Sequence, residues 1–220
     1  MRRCNENSLI YYRNGYWRWK TRISLSFIEK LNQNGYTTAA LKPIASGCKQ
    51  DKNEAWVNED ALALRDAVTE KQPYAKINPF SFKDPIAPHL AAKRENKTLS
   101  IECVSQVIKD TLQHQTADVL IIEGAGGWAL PLNSEELYSE VISNLQIPVI
   151  LVIGIRLGCL NHGILTSQNI LSSGALYLGW IANCIDPHMQ AQDETIEALK
   201  TLIQAPYLGT MHYEKKTLAS

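Results

Sequence analysis

DVLIIEGAGG, residues 118–127, is the stretch that decides the fold. Val119 to Ile122 form a short unbroken apolar run, the mark of a strand buried on both faces. Glu123 ends the run, and Gly124, Gly126 and Gly127 open the chain into a loop. A strand covered on both faces needs a layer in front and a layer behind. A parallel sheet flanked by helices supplies them.

PVILVIG (148–154) is a second run of the same kind, and LYLGWIAN (176–183) reads as a third strand. YTTAALK (36–42) reads as a further strand. Helical apolar spacing separates them: RISLSFIEKLNQ (22–33), closed near Gly35, then NEDALALRDAV (58–68) with Asn58 as N-cap. SIECVSQVIKDTLQHQ (100–115) starts at a capping serine, and NSEELYSEVISNL (133–145) carries a capping pattern in Asn133 and Glu136. Two further helices are expected over about 162–172 and 190–203. Buried strands alternating with helices predict a doubly wound, mostly parallel α/β sheet.

The 220 residues suit one domain, and 22 basic against 22 acidic residues give no electrostatic case for a nucleic-acid partner. The longest apolar run, IPVILVIGI at 147–155, falls short of the ~20 residues that span a bilayer. No apolar leader with a small-residue cleavage site follows the first arginines, and the five cysteines are scattered and odd in number. A reduced, cytoplasmic protein is the expectation.

In such sheets ligands bind beyond the carboxyl ends of the strands. Three ends stand out: Lys42–Gly47, Glu123–Gly127 and Asn183–Asp186. Glu123 followed by glycines suits a magnesium ligand beside a nucleotide, because glycine lets backbone N–H groups approach phosphate. Lys42 alone reads as a snorkelling surface lysine. Beside an acidic, glycine-rich strand end it becomes an anion or transition-state ligand. In RLGCLNHG (156–163), Gly158 and Asn161 suit a loop and N-cap whose free N–H groups hold a carboxylate. Cys159 and His162 are too few to bind a metal.

GYTTAALKPIASG, NEDALALR, INPFSFKDPIAPHLAA, VLIIEGAGGWALPL, IPVILVIGIRLGCLNHGILTSQNI and LGWIANCIDP, in this order, resemble the dethiobiotin synthetase family of biotin biosynthesis. The resemblance covers roughly residues 20–213. It implies a P-loop NTPase-like fold, a homodimer, and ATP-dependent, Mg2+-dependent ring closure of 7,8-diaminononanoate with CO2. Carried over by position, it implies that Lys20 and Lys42 are catalytic and that Thr21, Asp60 and Glu123 hold Mg2+. ATP contacts fall to Lys20, Thr21, Asp60, Glu123, Gly124, Ala125, Gly126, Asn183, Cys184, Met211, His212 and Tyr213. Ser46 is implied to touch substrate, and Gly158, Cys159, Leu160 and Asn161 of a partner subunit to grip its carboxylate. Cys184 stands where the family has Asp, and His212 where it has Pro.

The largest departure precedes Thr21. The family loop reads Gly-Thr-Asp-Thr-Gly-Val-Gly-Lys-Thr; residues 13–21 read Arg-Asn-Gly-Tyr-Trp-Arg-Trp-Lys-Thr, and only Lys20 and Thr21 match. Indole rings cannot replace the glycines of a phosphate cradle. The tryptophan codon, TGG, read one base later begins GG, which always encodes glycine. Trp17 and Trp19 sit where two loop glycines belong. Residues 1–19 therefore read as an out-of-frame segment ahead of a single domain at 20–220, with the first strand of the sheet lost. Two rival expectations are an inactive remnant without a working loop, and a related P-loop ligase with another acceptor. The blocks LGCLNH and ALKPIASG argue against the second.

Overall fold

The computed structural model describes residues 8–14, 20–52 and 54–213, with side chains described from Thr21 onward except Asn53. In chain order the elements are β1 (Ser8–Asn14), α1 (Lys20–Gln33), β2 (Thr38–Leu41), β3 (Ile44–Ala45), β4 (Lys49–Gln50), β5 (Trp56–Val57) and α2 (Glu59–Ala67). Then come α3 (Tyr74–Ile77), β6 (Phe80–Ser81), α4 (Pro88–Arg94), α5 (Ile101–His114), β7 (Val119–Glu123) and α6 (Tyr138–Leu145). The chain continues through β8 (Val149–Ile155), α7 (Cys159–Ser172), β9 (Tyr177–Cys184), α8 (Gln192–Leu202) and β10 (Tyr207–Met211).

Six strands form one sheet in the order β10-β9-β8-β1-β7-β2. Every neighbouring pair is parallel. Side chains alternate along a strand, and the core records that period of two. Ala39, Leu41, Leu120, Ile122, Leu151, Ile153, Trp180 and Ala182 join one apolar cluster with Val104 and Ile108 of α5, Val141 of α6 and Leu199 of α8. The residues between them, Ala40, Ile121, Ile150, Val152 and Ile181, join a second cluster with Ile23 and Ile28 of α1 and Leu64 of α2. Each fully buried aliphatic side chain contributes about 1.5–3 kcal/mol, so both faces of the sheet are firmly covered.

Two predicted caps stand as read: Asn58 Oδ1 accepts from Ala61 N at 3.2 Å, and Ser100 Oγ from Cys103 N at 3.2 Å. Three expectations are corrected. Asn133 Oδ1 does accept from the Glu135 and Glu136 N–H groups, but no helix follows there. Bonds from Leu132 N to Glu136 O and from Tyr138 N to Leu130 O close a small loop first, and α6 begins only at Tyr138. α7 begins at Cys159, three residues before the expected start, because Gly158 at φ +87° turns the chain into the helix in place of an Asn161 cap.

The third correction concerns the first strand. It is not lost: Ser8–Asn14 lies in the middle of the sheet, with Ile10 opposite Ile122 on β7 and opposite Val149 on β8. Backbone pairing is generic, and Ile and Tyr are good strand formers, so SLIYYRN can occupy the place. The sheet thus crosses the expected division at residue 19. Arg13 and Asn14, the first two residues aligned with the family loop, belong to β1 and pair with β8, whereas residues 15–19 and the Lys20 side chain lie outside the described residues and side chains.

Candidate active site

β2 and β7 are neighbours in register, Leu41 opposite Ile122. The next residue on each strand is therefore Lys42 and Glu123, side by side at the carboxyl edge. Lys42 Nζ meets Glu123 Oε1 at 2.7 Å, with the two side chains 5% and 3% exposed. Asp60, in the first turn of α2, brings Oδ2 to 3.7 Å from the same ammonium. Burial, the largest influence on Lys42, pulls its pKa down, but the charges of Glu123 and then Asp60 more than offset it. The pKa ends above the ordinary lysine value, so Lys42 is a cation at neutral pH.

α1 closes the cluster from the other side. Ser24 Oγ, fully buried, donates to Glu123 Oε2 at 2.8 Å, so both carboxylate oxygens are held. Thr21 lies one helical turn earlier, with its Oγ1 buried and without a hydrogen-bond partner. A buried hydroxyl without a partner, one helical turn from the serine that holds Glu123, together with the Glu123 and Asp60 carboxylates offers oxygen donors of the kind that suit a hard divalent cation. Among the described residues no three His, Cys, Asp or Glu side chains gather as a self-sufficient metal cage. Magnesium binds in this incomplete way, through one or two carboxylates with phosphate and water filling the rest. The residues present therefore fit Mg2+ carried with a phosphate ligand.

Beyond Glu123, Gly126 at φ +64° would place a Cβ 3.0 Å from Leu130 Cδ1. Asn183 and Cys184 end β9 fully buried, and Met211 ends β10 opposite Asn183. Burial, the main cause, raises the Cys184 thiol to about 11, so it stays a neutral packing group. His212 and Tyr213 follow β10. The Arg22 guanidinium grips both of their carbonyls, at 3.0 and 2.6 Å.

The structure thus brings Lys42, Asp60 and Glu123 together, with Thr21 one helical turn from Ser24, the serine that bonds Glu123. Ser46 lies half-buried just after β3, beside Gly47, whose φ is +71°. Gly158–Asn161 stand apart: β1 and β7 separate β8, from which they emerge, from β2. Sequence reasoning missed Ser24, Arg22, Tyr74 and Asn78. Helical spacing from Thr21 signals Ser24. The other three act through backbone groups distant in sequence, and no local pattern announces them.

Known proteins resemble this chain over most of its length. The ATP-dependent dethiobiotin synthetase BioD of Marinobacter nauticus is 41% identical over 199 residues, 90% of this chain and 84% of the relative. That of Pseudoalteromonas translucida is 40% identical over 199 residues, covering 90% and 86%.

The chain belongs to the dethiobiotin synthetase family.

The AAA domain family also matches, over residues 20–219, so the match begins at the Lys-Thr pair. Among solved structures, the MinC:MinD cell division complex of Aquifex aeolicus aligns with a TM-score of 0.58 at 11% identity, over 96% of this chain and 83% of that one. A ParA family ATPase from Chlorobium tepidum aligns at 0.56 and 12% identity, over 96% and 86%. At that identity the likeness speaks for the fold alone, and the fold that this dethiobiotin synthetase family member shares with them is the P-loop NTPase fold.

Proposed function

We propose that this chain descends from, and in frame-corrected form performs, ATP-dependent dethiobiotin synthesis. An amine of 7,8-diaminononanoate takes up CO2 as a carbamate, the carbamate oxygen attacks the γ-phosphate of ATP, and the second amine closes the ring. Dethiobiotin, ADP and phosphate leave. The observation that carries this reading is the convergence of Lys42, Glu123 and Asp60 at one edge of the sheet, with the unpartnered Thr21 hydroxyl one helical turn from the serine that holds Glu123.

Such chemistry is mostly positioning and charge neutralisation. Lys42 is a cation at neutral pH, fixed by two carboxylates, so it acts as an electrostatic ligand of the carbamate and transferring phosphate, not as a base. Thr21, Asp60 and Glu123 would hold Mg2+, which supplies neutralisation of phosphate charge. Ser24 fixes the rotamer of Glu123 in readiness, as outer partners of metal ligands do. Gly124–Gly126 lend backbone N–H groups to the nucleotide. Asn183 reads the adenine edge, with Met211–Tyr213 bordering the base and Cys184 beneath it. Ser46 meets the substrate.

The substrate carboxylate goes to Gly158–Asn161 of a second copy. The support is the exposed leucines there: Leu157 is 91% exposed, Leu160 in the first turn of α7 is exposed with it, and Leu165 is exposed further along the helix. Exposed leucines beside this loop suit a partner surface. A cytoplasmic setting accords with four free cysteines among the described residues. No described helix is long and apolar enough to cross a membrane.

A second reading has its own observation. The family match starts at Lys20, and residues 13–19 lack the glycines of the phosphate loop. The chain as written is then a remnant that keeps the scaffold and binds ATP weakly. An ATP- and bicarbonate-dependent assay with 7,8-diaminononanoate, run on the chain as written and on a version with the loop restored in frame, separates the two. Product from the restored chain alone supports a frameshift. Product from neither overturns the proposed reaction.

A further inference from the structure

β2 ends at Leu41, and Pro43 has no N–H, so the backbone around Lys42 must find partners outside the sheet. The segment at α3 provides them. Lys42 N–H donates to Ile77 O at 2.8 Å, and Lys42 O accepts from Asn78 Nδ2 at 2.7 Å. Asn78 is 2% exposed, and its Oδ1 accepts from the Tyr74 hydroxyl at 2.9 Å. That hydroxyl accepts in turn from Asn58 N–H at 2.7 Å. Asn58 caps α2, whose first turn carries Asp60. A continuous line of hydrogen bonds therefore runs from the peptide of Lys42 to the helix end that holds Asp60.

We propose that Tyr74 and Asn78 are positioning residues, whose side-chain bonds set where the Lys42 ammonium stands relative to Asp60. The inference rests on the reading of the site given above, and neither residue touches the reacting groups. A lysine side chain has four rotatable bonds, so its charge is only as well placed as its backbone and its partners make it. Small misplacements at a phosphoryl-transfer site cost rate steeply. The Tyr74 oxygen serves as donor and acceptor at once, which needs its proton. Burial, the main cause, pushes its pKa to about 12 and keeps that proton on.

The test is amine acylation of the chain as written, with Lys42 followed by peptide mass spectrometry and exposed Lys49 as internal reference. Tyr74→Phe and Asn78→Ala each cut the line at a different point. Thr69→Ala is the control, because Thr69 Oγ1 accepts from Thr38 N at 2.7 Å and steadies the opposite end of the same strand. Each of the first two should speed Lys42 acylation roughly three- to tenfold, the range one hydrogen bond spans. Lys49 and the Thr69→Ala chain should stay at parent rates. Unchanged Lys42 acylation in both variants overturns the proposal, as does an equal rise in Thr69→Ala, which would mean general loosening. In the frame-restored chain, Tyr74→Phe should lower kcat and leave the KM for ATP in place; a change in KM alone counts against positioning. If the restored parent makes no dethiobiotin while Tyr74→Phe still frees Lys42, the reaction assignment fails and the positioning line stands.

Discussion

Lys42 and Glu123 form a buried ion pair, Nζ to Oε1 at 2.7 Å, between the ends of two adjacent parallel strands. Buried pairs contribute little against an apolar replacement but cost dearly when halved. Glu123→Leu or Lys42→Met alone should therefore destabilise by about 3–5 kcal/mol, whereas the double replacement should fall within about 1 kcal/mol of the parent. Urea unfolding of the four chains measures this, and additive losses would show that the pair is uncoupled. The pH dependence has a definite sign. The folded pKa of Lys42 lies above its ordinary 10.5, so its share of stability is complete below that value. The share disappears as pH rises through the folded pKa.

Thr21 carries a conflict between stability and binding. Its hydroxyl is buried without a partner. Thr21→Val keeps the shape and removes the orphaned group, and should raise stability by about 1 kcal/mol. The same change removes a cation ligand and should weaken Mg2+-ATP binding in the frame-restored chain. Thermal unfolding and fluorescent-nucleotide titration should move in opposite directions.

Gly179 sits in β9 at φ +150°, and a Cβ there would lie 2.4 Å from the Pro206 carbonyl oxygen. The obstacle is backbone and cannot swing aside. Gly179→Ala should cost about 3 kcal/mol through displacement of β10, measurable as a lowered unfolding midpoint.

Leu160 and Leu165 lie on the exposed face of α7. If a second copy covers them, Leu160→Glu with Leu165→Glu should convert a dimer to a monomer in analytical ultracentrifugation. The fold should remain, since neither side chain belongs to the core. A monomeric parent would dispose of this interface.

Much of this architecture is legible in the sequence. The apolar runs at 119–122 and 149–153 bear the mark of strands covered twice, and their alternation with capped helices at Asn58 and Ser100 leaves few other folds. Lys42 and Glu123 are also visible as strand-end groups. Their contact is not, because it depends on β2 lying next to β7, a fact of strand order rather than of local pattern. The start of α6 misleads because Asn133 makes the bonds of a cap while the backbone closes a loop around it. β1 misleads in the opposite sense. Residues read as out of frame still take the central place, since a strand slot asks for extended backbone more than for particular side chains.

Arg22 has a mechanical consequence. Edge strands usually fray first, because only one neighbour holds them. β10 is such an edge, yet the carbonyls just beyond it are forked by a guanidinium from the helix that follows the central strand. The rim is thereby laced to the middle. Thr210 and Met211 should open together with β8 and β9 as one cooperative unit, with slow amide exchange where an unlaced edge would exchange fast. Arg22→Met should release β10 alone.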